Sequence, residues 1–197
     1  MQIMTPRGAA IVEVDEAVAP RFLFVLTHGS AGGVESPDLL SVRDAVVAAG
    51  GTVARVLQPF RVAGGRAPGS PARQDEAWTS LVASLRERFP GLALVQGGRS
   101  NGARVTCRTA RAVGAAAVVA LAFPLHPPGK PGRSRVEELR GAGVDVLVVS
   151  GDRDRFGIPD QADAARLVVL AGEGHDLNRD PARVGEVVAQ WLGPRFS

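Results

Sequence analysis

Three residue types that together turn a serine into a nucleophile occur in this chain, each just past the end of an apolar run. Ser100 sits in Gly98-Arg99-Ser100-Asn101-Gly102, which fits G-x-S-x-G and follows Leu92-Ala93-Leu94-Val95. That pattern describes a strand entering a helix through a tight turn. The turn lifts the serine oxygen clear of the sheet, and small residues two positions either side let strand and helix approach closely. His175 lies in Gly172-Glu173-Gly174-His175-Asp176, after the run ending at Leu170. Two aspartates, Asp152 and Asp154, follow the run ending at Val149. Serine is a poor nucleophile until a base takes its proton, and a carboxylate must hold the imidazole in the right tautomer and stabilise its cation. The chemistry these types imply is acyl transfer through a covalent acyl-serine.

G-x-S-x-G alone is a weak signal in a chain with 24 glycines. Placement strengthens it, because open parallel sheets bind ligands at the carboxyl ends of their strands. A fourth piece stands at such an end: Thr27-His28-Gly29-Ser30-Ala31-Gly32-Gly33, after the apolar run Arg21 to Leu26. A His-Gly turn rich in glycine frees backbone N–H groups to point inward, as an oxyanion hole requires. The expected donors are the backbone N–H of Asn101, directly after the nucleophile, and one from the turn after Gly29, with Ser30 preferred over Ala31. His28 reads as structural. Asp152 and Asp154 both remain candidates for the orienting acid, although aspartate also forms turns by bonding its own backbone. Arg99, Arg66 and Lys130 could bring positive charge to the site mouth and favour an acidic substrate; ordinary surface charge is the competing reading. His126, in a proline-rich loop, could line the substrate pocket or stand in solvent. Cys107 reads as packing, since a buried thiol behaves as a small hydrophobe.

The elements needed to position these residues are legible as alternation. Ile11 to Val14 suggests an edge strand. Arg21–Leu26, Thr52–Leu57, Leu92–Val95, Ala116–Phe123, Val144–Val149 and Arg166–Leu170 are short apolar runs of the kind buried on both faces. Between them lie helical patterns: one capped by Ser36 with Pro37 in its first turn, one carrying Trp78, Leu81, Val82, Leu85 and Phe89, one after Ser100, a short one over Arg135–Arg140, and one opened by Pro181. Phe60 to Pro71 is too rich in Gly and Pro for regular structure. Strands alternating with helices predict a doubly wound, mostly parallel α/β sheet of about six to seven strands. The 197 residues are expected to form one domain, 1–197.

Composition excludes other classes. Apolar content of 45% and charge of 22% are globular, and no apolar run is long enough to span a bilayer. Net charge is only +3, and the arginines are interspersed with acids rather than gathered in a stripe, so neither nucleic acid nor membrane is expected as a partner. The single cysteine, with an N-terminus unlike a secretion signal, suits a reducing cytoplasm.

The same motifs resemble the α/β-hydrolase superfamily, in which nucleophile, acid and base follow one another in that chain order. Within it the chain is similar to the small dienelactone-hydrolase-like proteins and to the hydrolase-like domain of an NSL chromatin-complex subunit. The traces are Gly64-Gly65-Arg66-Ala67-Pro68, the elbow Gly97 to Arg104, Phe123 to Pro131, and Arg153-Asp154-x-Phe156-Gly157, over roughly Phe22 to Trp191. The resemblance implies the α/β-hydrolase fold and a serine-hydrolase site. Its G-x-x-D spacing runs from Gly151 to Asp154, favouring that aspartate. Dienelactone hydrolases proper carry a cysteine nucleophile where this chain has Ser100, so dienelactone itself is not implied.

About a dozen residues separate the Ala116–Phe123 strand from the next helix, too few for the helical lid many superfamily members insert there. The expected protein is a lidless serine hydrolase of a small ester or thioester, using Ser100, His175 and Asp154, with no metal or cofactor. A hydrolase-like interaction module and an acyltransferase with the same triad are the alternatives.

Overall fold

The computed structural model describes residues 1–196. In chain order the strands and helices are β1 (Gln2–Thr5), β2 (Gly8–Asp15), β3 (Phe22–Thr27), α1 (Pro37–Ala48), β4 (Gly51–Leu57), α2 (Pro59–Val62), α3 (Pro71–Arg88), β5 (Ala93–Arg99), α4 (Asn101–Val113), β6 (Ala117–Leu121), α5 (Val136–Arg140), β7 (Asp145–Gly151), β8 (Arg166–Leu170) and α6 (Pro181–Leu192). One sheet contains all eight strands in the order β1-β2-β4-β3-β5-β6-β7-β8. β1 and β2 run antiparallel, and every pairing from β4 onward is parallel.

The doubly wound architecture agrees with the sequence pattern, but the sheet is wider than expected. The extra strand is β1, which pairs with β2 through a two-residue turn at Pro6-Arg7 and so removes β2 from the sheet edge. Thr5 closes that turn, its hydroxyl donating to the Gly8 carbonyl and accepting from the Arg7 N–H. Within the stretch expected to lack regular structure, Pro59–Val62 forms one helical turn. Ser36 occupies the N-cap of α1 with extended backbone, but its hydroxyl bonds no helix N–H.

Helices cover both faces. Leu39, Val42, Val184 and Val188 from α1 and α6 bury one side of β3 to β7. Trp78 and Leu81 from α3, Val105 and Cys107 from α4 and Leu139 from α5 bury the other. The central strands are therefore apolar on both faces, with β3 and β6 buried throughout. Gln96 is the buried exception at the sheet centre. Its amide accepts from Trp78 Nε1 at 2.7 Å and donates to the Thr106 carbonyl at 2.5 Å, tying β5 to α3 and α4. Between β6 and β7 the described chain holds only α5, with no helical lid. No helix among the described residues is long and apolar enough to cross a membrane.

Candidate active site

β5 delivers Ser100 at its carboxyl end, between the strand and α4. Its backbone has φ 55° and ψ −115°, a conformation L-residues rarely adopt, and its N–H donates to Leu121 of β6 at 2.9 Å. Two glycines permit this turn. A Cβ on Gly98 would lie 2.6 Å from the Gly102 carbonyl carbon, and one on Gly102 would lie 2.7 Å from the His28 carbonyl oxygen. The elbow thus packs backbone to backbone against the turn after β3.

The loops after β7 and β8 converge on the serine. His175 Nε2 is 2.8 Å from Ser100 Oγ, and His175 Nδ1 is 2.8 Å from Asp154 Oδ2. An ionised carboxylate only accepts, so Nδ1 carries the proton and Nε2 is left to accept from the serine hydroxyl. The other oxygen of Asp154 accepts the Phe156 N–H at 2.8 Å, which fixes the carboxylate from both sides. Asp152 is turned elsewhere: exposed, it accepts the Gly172 N–H at 2.8 Å and staples the two loops. Glu173, only 2% exposed, does the same for the His175 loop by accepting the N–H of Asp180 at 2.6 Å and of Arg179 at 3.3 Å.

The turn after β3 is held by His28. Its Nδ1 donates to the Gly29 carbonyl at 2.7 Å, and its Nε2 accepts the Gln58 N–H at 3.0 Å. Burial, aided by the charges of Arg61 and Arg99 and opposed by the Gly29 carbonyl, lowers its pKa from 6.5 to about 4. The ring is neutral and committed at both nitrogens, so its role is structural. Ser30 and Asn101 line the cleft beside Ser100. As the first residue of α4, Asn101 has no intrahelical acceptor for its backbone N–H, and the Ser30 N–H bonds no backbone group among the described residues. The Asn101 side chain is separately anchored, donating to Gln74 of α3 at 2.9 Å.

The cleft around Ser100 has a volume of about 640 Å³, in the range of small-molecule sites. Of the four residues expected to meet substrate, it includes only Arg99. Arg66 and Lys130 are exposed and outside its lining. His126 also lies outside: its Nδ1 bonds the Pro127 carbonyl at 3.0 Å, and its ring packs where a Cβ on Gly157 would sit. Arg99 already faces two acids: Nε stands 3.3 Å from Asp38 without hydrogen-bond geometry, and an Nη donates to Asp176 at 3.5 Å. The charged and aromatic lining residues that sequence reasoning missed are Arg104, Arg135, Arg155, Phe156 and Asp176. Phe156 stands against the base, its ring centroid 4.2 Å from that of His175. Adjacency to the Asp154 and Ser100 motifs could have pointed to Phe156, Arg155 and Arg104; nothing local marks Arg135.

Cys107 is fully buried in α4, and burial pushes its thiol up to about 12, so it is an inert packing residue. Among the described residues no group of three or more His, Cys, Asp or Glu side chains is placed to hold a metal ion.

A family model described as an alpha/beta hydrolase domain matches residues 20–182. No curated protein matches the chain in sequence. Among solved structures, an α/β serine hydrolase without lid from Xanthomonas campestris superposes with a TM-score of 0.82 at 18% identity, over 100% of this chain and 94% of the other. An α/β serine hydrolase homologue from Coxiella burnetii gives 0.81 at 15% identity, over 98% and 96%. Est1E from Butyrivibrio proteoclasticus, solved with ferulic acid bound, gives 0.74 at 16% identity, over 98% and 97%. At such identities these likenesses speak for the fold, and the family match covers most of the chain. The chain belongs to the alpha/beta hydrolase domain family, and among its described residues no helical lid stands between β6 and β7.

Proposed function

We propose that the protein is a serine hydrolase that cleaves a small carboxylic ester or thioester through an acyl-serine intermediate. The observation that carries this reading is the unbroken hydrogen-bond chain from Ser100 Oγ through His175 to Asp154, opening on a cleft rather than buried in packing. His175 Nε2 takes the serine proton as Oγ attacks the substrate carbonyl. The oxyanion is stabilised by the backbone N–H groups of Asn101 and Ser30, each such donor contributing about 3 kcal/mol. The imidazolium then returns its proton to the leaving alcohol or thiol as the tetrahedral intermediate collapses. A water enters and loses a proton to the same Nε2 as it attacks the acyl group, and the imidazolium returns that proton to Ser100 Oγ as the acid product leaves. Asp154 stays ionised throughout and stabilises the cation formed beside it. A protein that served only as a binding scaffold would have no need to hold a serine in a strained backbone against an oriented imidazole.

Among the described residues no helical lid covers the cleft, which fits small or surface-presented esters better than long buried acyl chains. The experiment is rapid-quench mass spectrometry with an activated small ester. A burst of product, with the acyl group recovered on the Ser100 peptide, is expected. Product release without an acylated Ser100 would rule out this mechanism. Added alcohols or thiols then separate the two fates of the acyl group: hydrolysis predicts free acid as the main product, whereas a transferase would give the exchanged ester.

A further inference from the structure

The charge lining the Ser100 cleft is one-sided. Four arginines reach it, Arg99, Arg104, Arg135 and Arg155, against one carboxylate, Asp176. Two of the four have acid partners. Arg99 faces Asp38 and Asp176, and Arg104 grips both oxygens of Glu138 at 2.8 and 2.5 Å. Glu138 is fully engaged, since Arg108 also donates to it at 3.2 Å.

Arg135 has no such partner among the described residues. Its guanidinium makes one long contact, 3.5 Å to the Pro124 carbonyl, and no carboxylate lies within ion-pair distance. It is nevertheless half-buried and rigidly based. Its N–H donates to the Leu125 carbonyl at 2.7 Å, and its carbonyl accepts from Glu138 at 3.0 Å, which pins the residue across the proline loop at the start of α5. Burial and the nearby cations Arg104, Arg133 and Arg108 lower its pKa against the pull of Glu138, so its charge is less well compensated there than in water. Arg155 is likewise without an acid partner. It lies over the face of Phe156 at 5.1 Å, and the Phe156 ring is tilted 55° against that of His175. A half-buried, preorganised and unneutralised guanidinium is a costly thing to keep in a packed structure unless an anion arrives to pair with it.

We propose that the ester cleaved at Ser100 carries a carboxylate away from its reacting carbonyl, and that Arg135 receives it, with Arg155 adding positive charge at the rim. The planar fork of arginine matches a carboxylate in two parallel N–H···O bonds, and a partly desolvated pair of this kind discriminates more strongly than an exposed one. This rests on the hydrolase reading above and adds a substrate class to it. It also relocates the positive charge expected from Arg66 and Lys130 to residues that line the cleft.

The test compares two 4-nitrophenyl esters of matched acyl length, one ending in a methyl group and one in a carboxylate. In the wild type, kcat/KM for the anionic ester should exceed that for the neutral one by about tenfold, and added salt should shrink this ratio because the pairing is electrostatic. Arg135→Gln should bring the ratio close to one, mainly through KM for the anionic ester, and Arg135→Lys should keep part of it, as charge without the fork. A wild-type ratio at or below one overturns the proposal without any variant having to fold. A ratio that Arg135→Gln leaves as in the wild type overturns the assignment to Arg135. If Ser100 is acylated while the ratio is one, only the anionic substrate class fails; if neither ester acylates Ser100, the hydrolase reading fails with it.

Discussion

Arg99 Nε lies 3.3 Å from Asp38 Oδ2, and the Asp38 side chain is only 1% exposed. The pair joins the last residue of β5 to the first turn of α1, immediately before Ser100. Burial raises the Asp38 pKa and the Arg99 charge opposes that rise, so each ion depends on the other for tolerance of the interior. Removing one partner of such a pair leaves a charge poorly compensated. Asp38→Asn is expected to cost about 3 kcal/mol, read as a lower urea midpoint with an unchanged slope. Because Arg99 then rests only on the exposed Asp176, kcat should fall more than KM rises.

The two aspartates after β7 should respond very differently to the same change. Asp154→Asn keeps the shape but supplies a donor where His175 Nδ1–H needs an acceptor, and should lower turnover by about 10⁴. Asp152→Asn retains the oxygen that accepts the Gly172 N–H and touches neither Ser100 nor His175, so its turnover should stay near that of the wild type. Steady-state kinetics on both variants settles the assignment; collapse at Asp152 with survival at Asp154 would reverse it.

His28 gives stability a pH dependence of its own. Its folded pKa, about 4, lies below its ordinary 6.5, so between those values the unfolded chain binds the proton more readily. Stability from this group is complete above pH 6.5 and is lost as pH falls toward 4, by about 3 kcal/mol in all. Urea unfolding at pH 7 and pH 4 should show this loss in the wild type. In His28→Gln the extra loss over that window should disappear, although the variant is less stable at pH 7 because two buried hydrogen bonds are disturbed.

What could be read from the sequence follows the length scale of the interaction. The parallel strands and their helices are written in local periodicity, and G-x-S-x-G encodes its own turn because Gly98 and Gly102 must lack side chains for the backbones to touch. The G-x-x-D resemblance favoured Asp154; the geometry adds the reason, since the Phe156 N–H orients its carboxylate while Asp152 is drawn off to Gly172. β1 is not legible locally because four residues at a terminus carry no periodicity, and only pairing with β2 defines them. Whether an arginine faces substrate depends on which acids have already claimed it, and Glu138 takes Arg104 and Arg108 but leaves Arg135. Pairings spanning some thirty residues leave no mark in a window of ten.

An activated Ser100 reacts with a fluorophosphonate probe whatever the natural substrate is. Folded wild-type protein should form one covalent adduct, located on the Ser100 peptide by mass spectrometry. Labelling should vanish in Ser100→Ala and slow sharply in His175→Ala, because Oγ is unreactive without its base. A folded wild-type protein that forms no adduct on Ser100, or labels equally well without His175, would contradict the account.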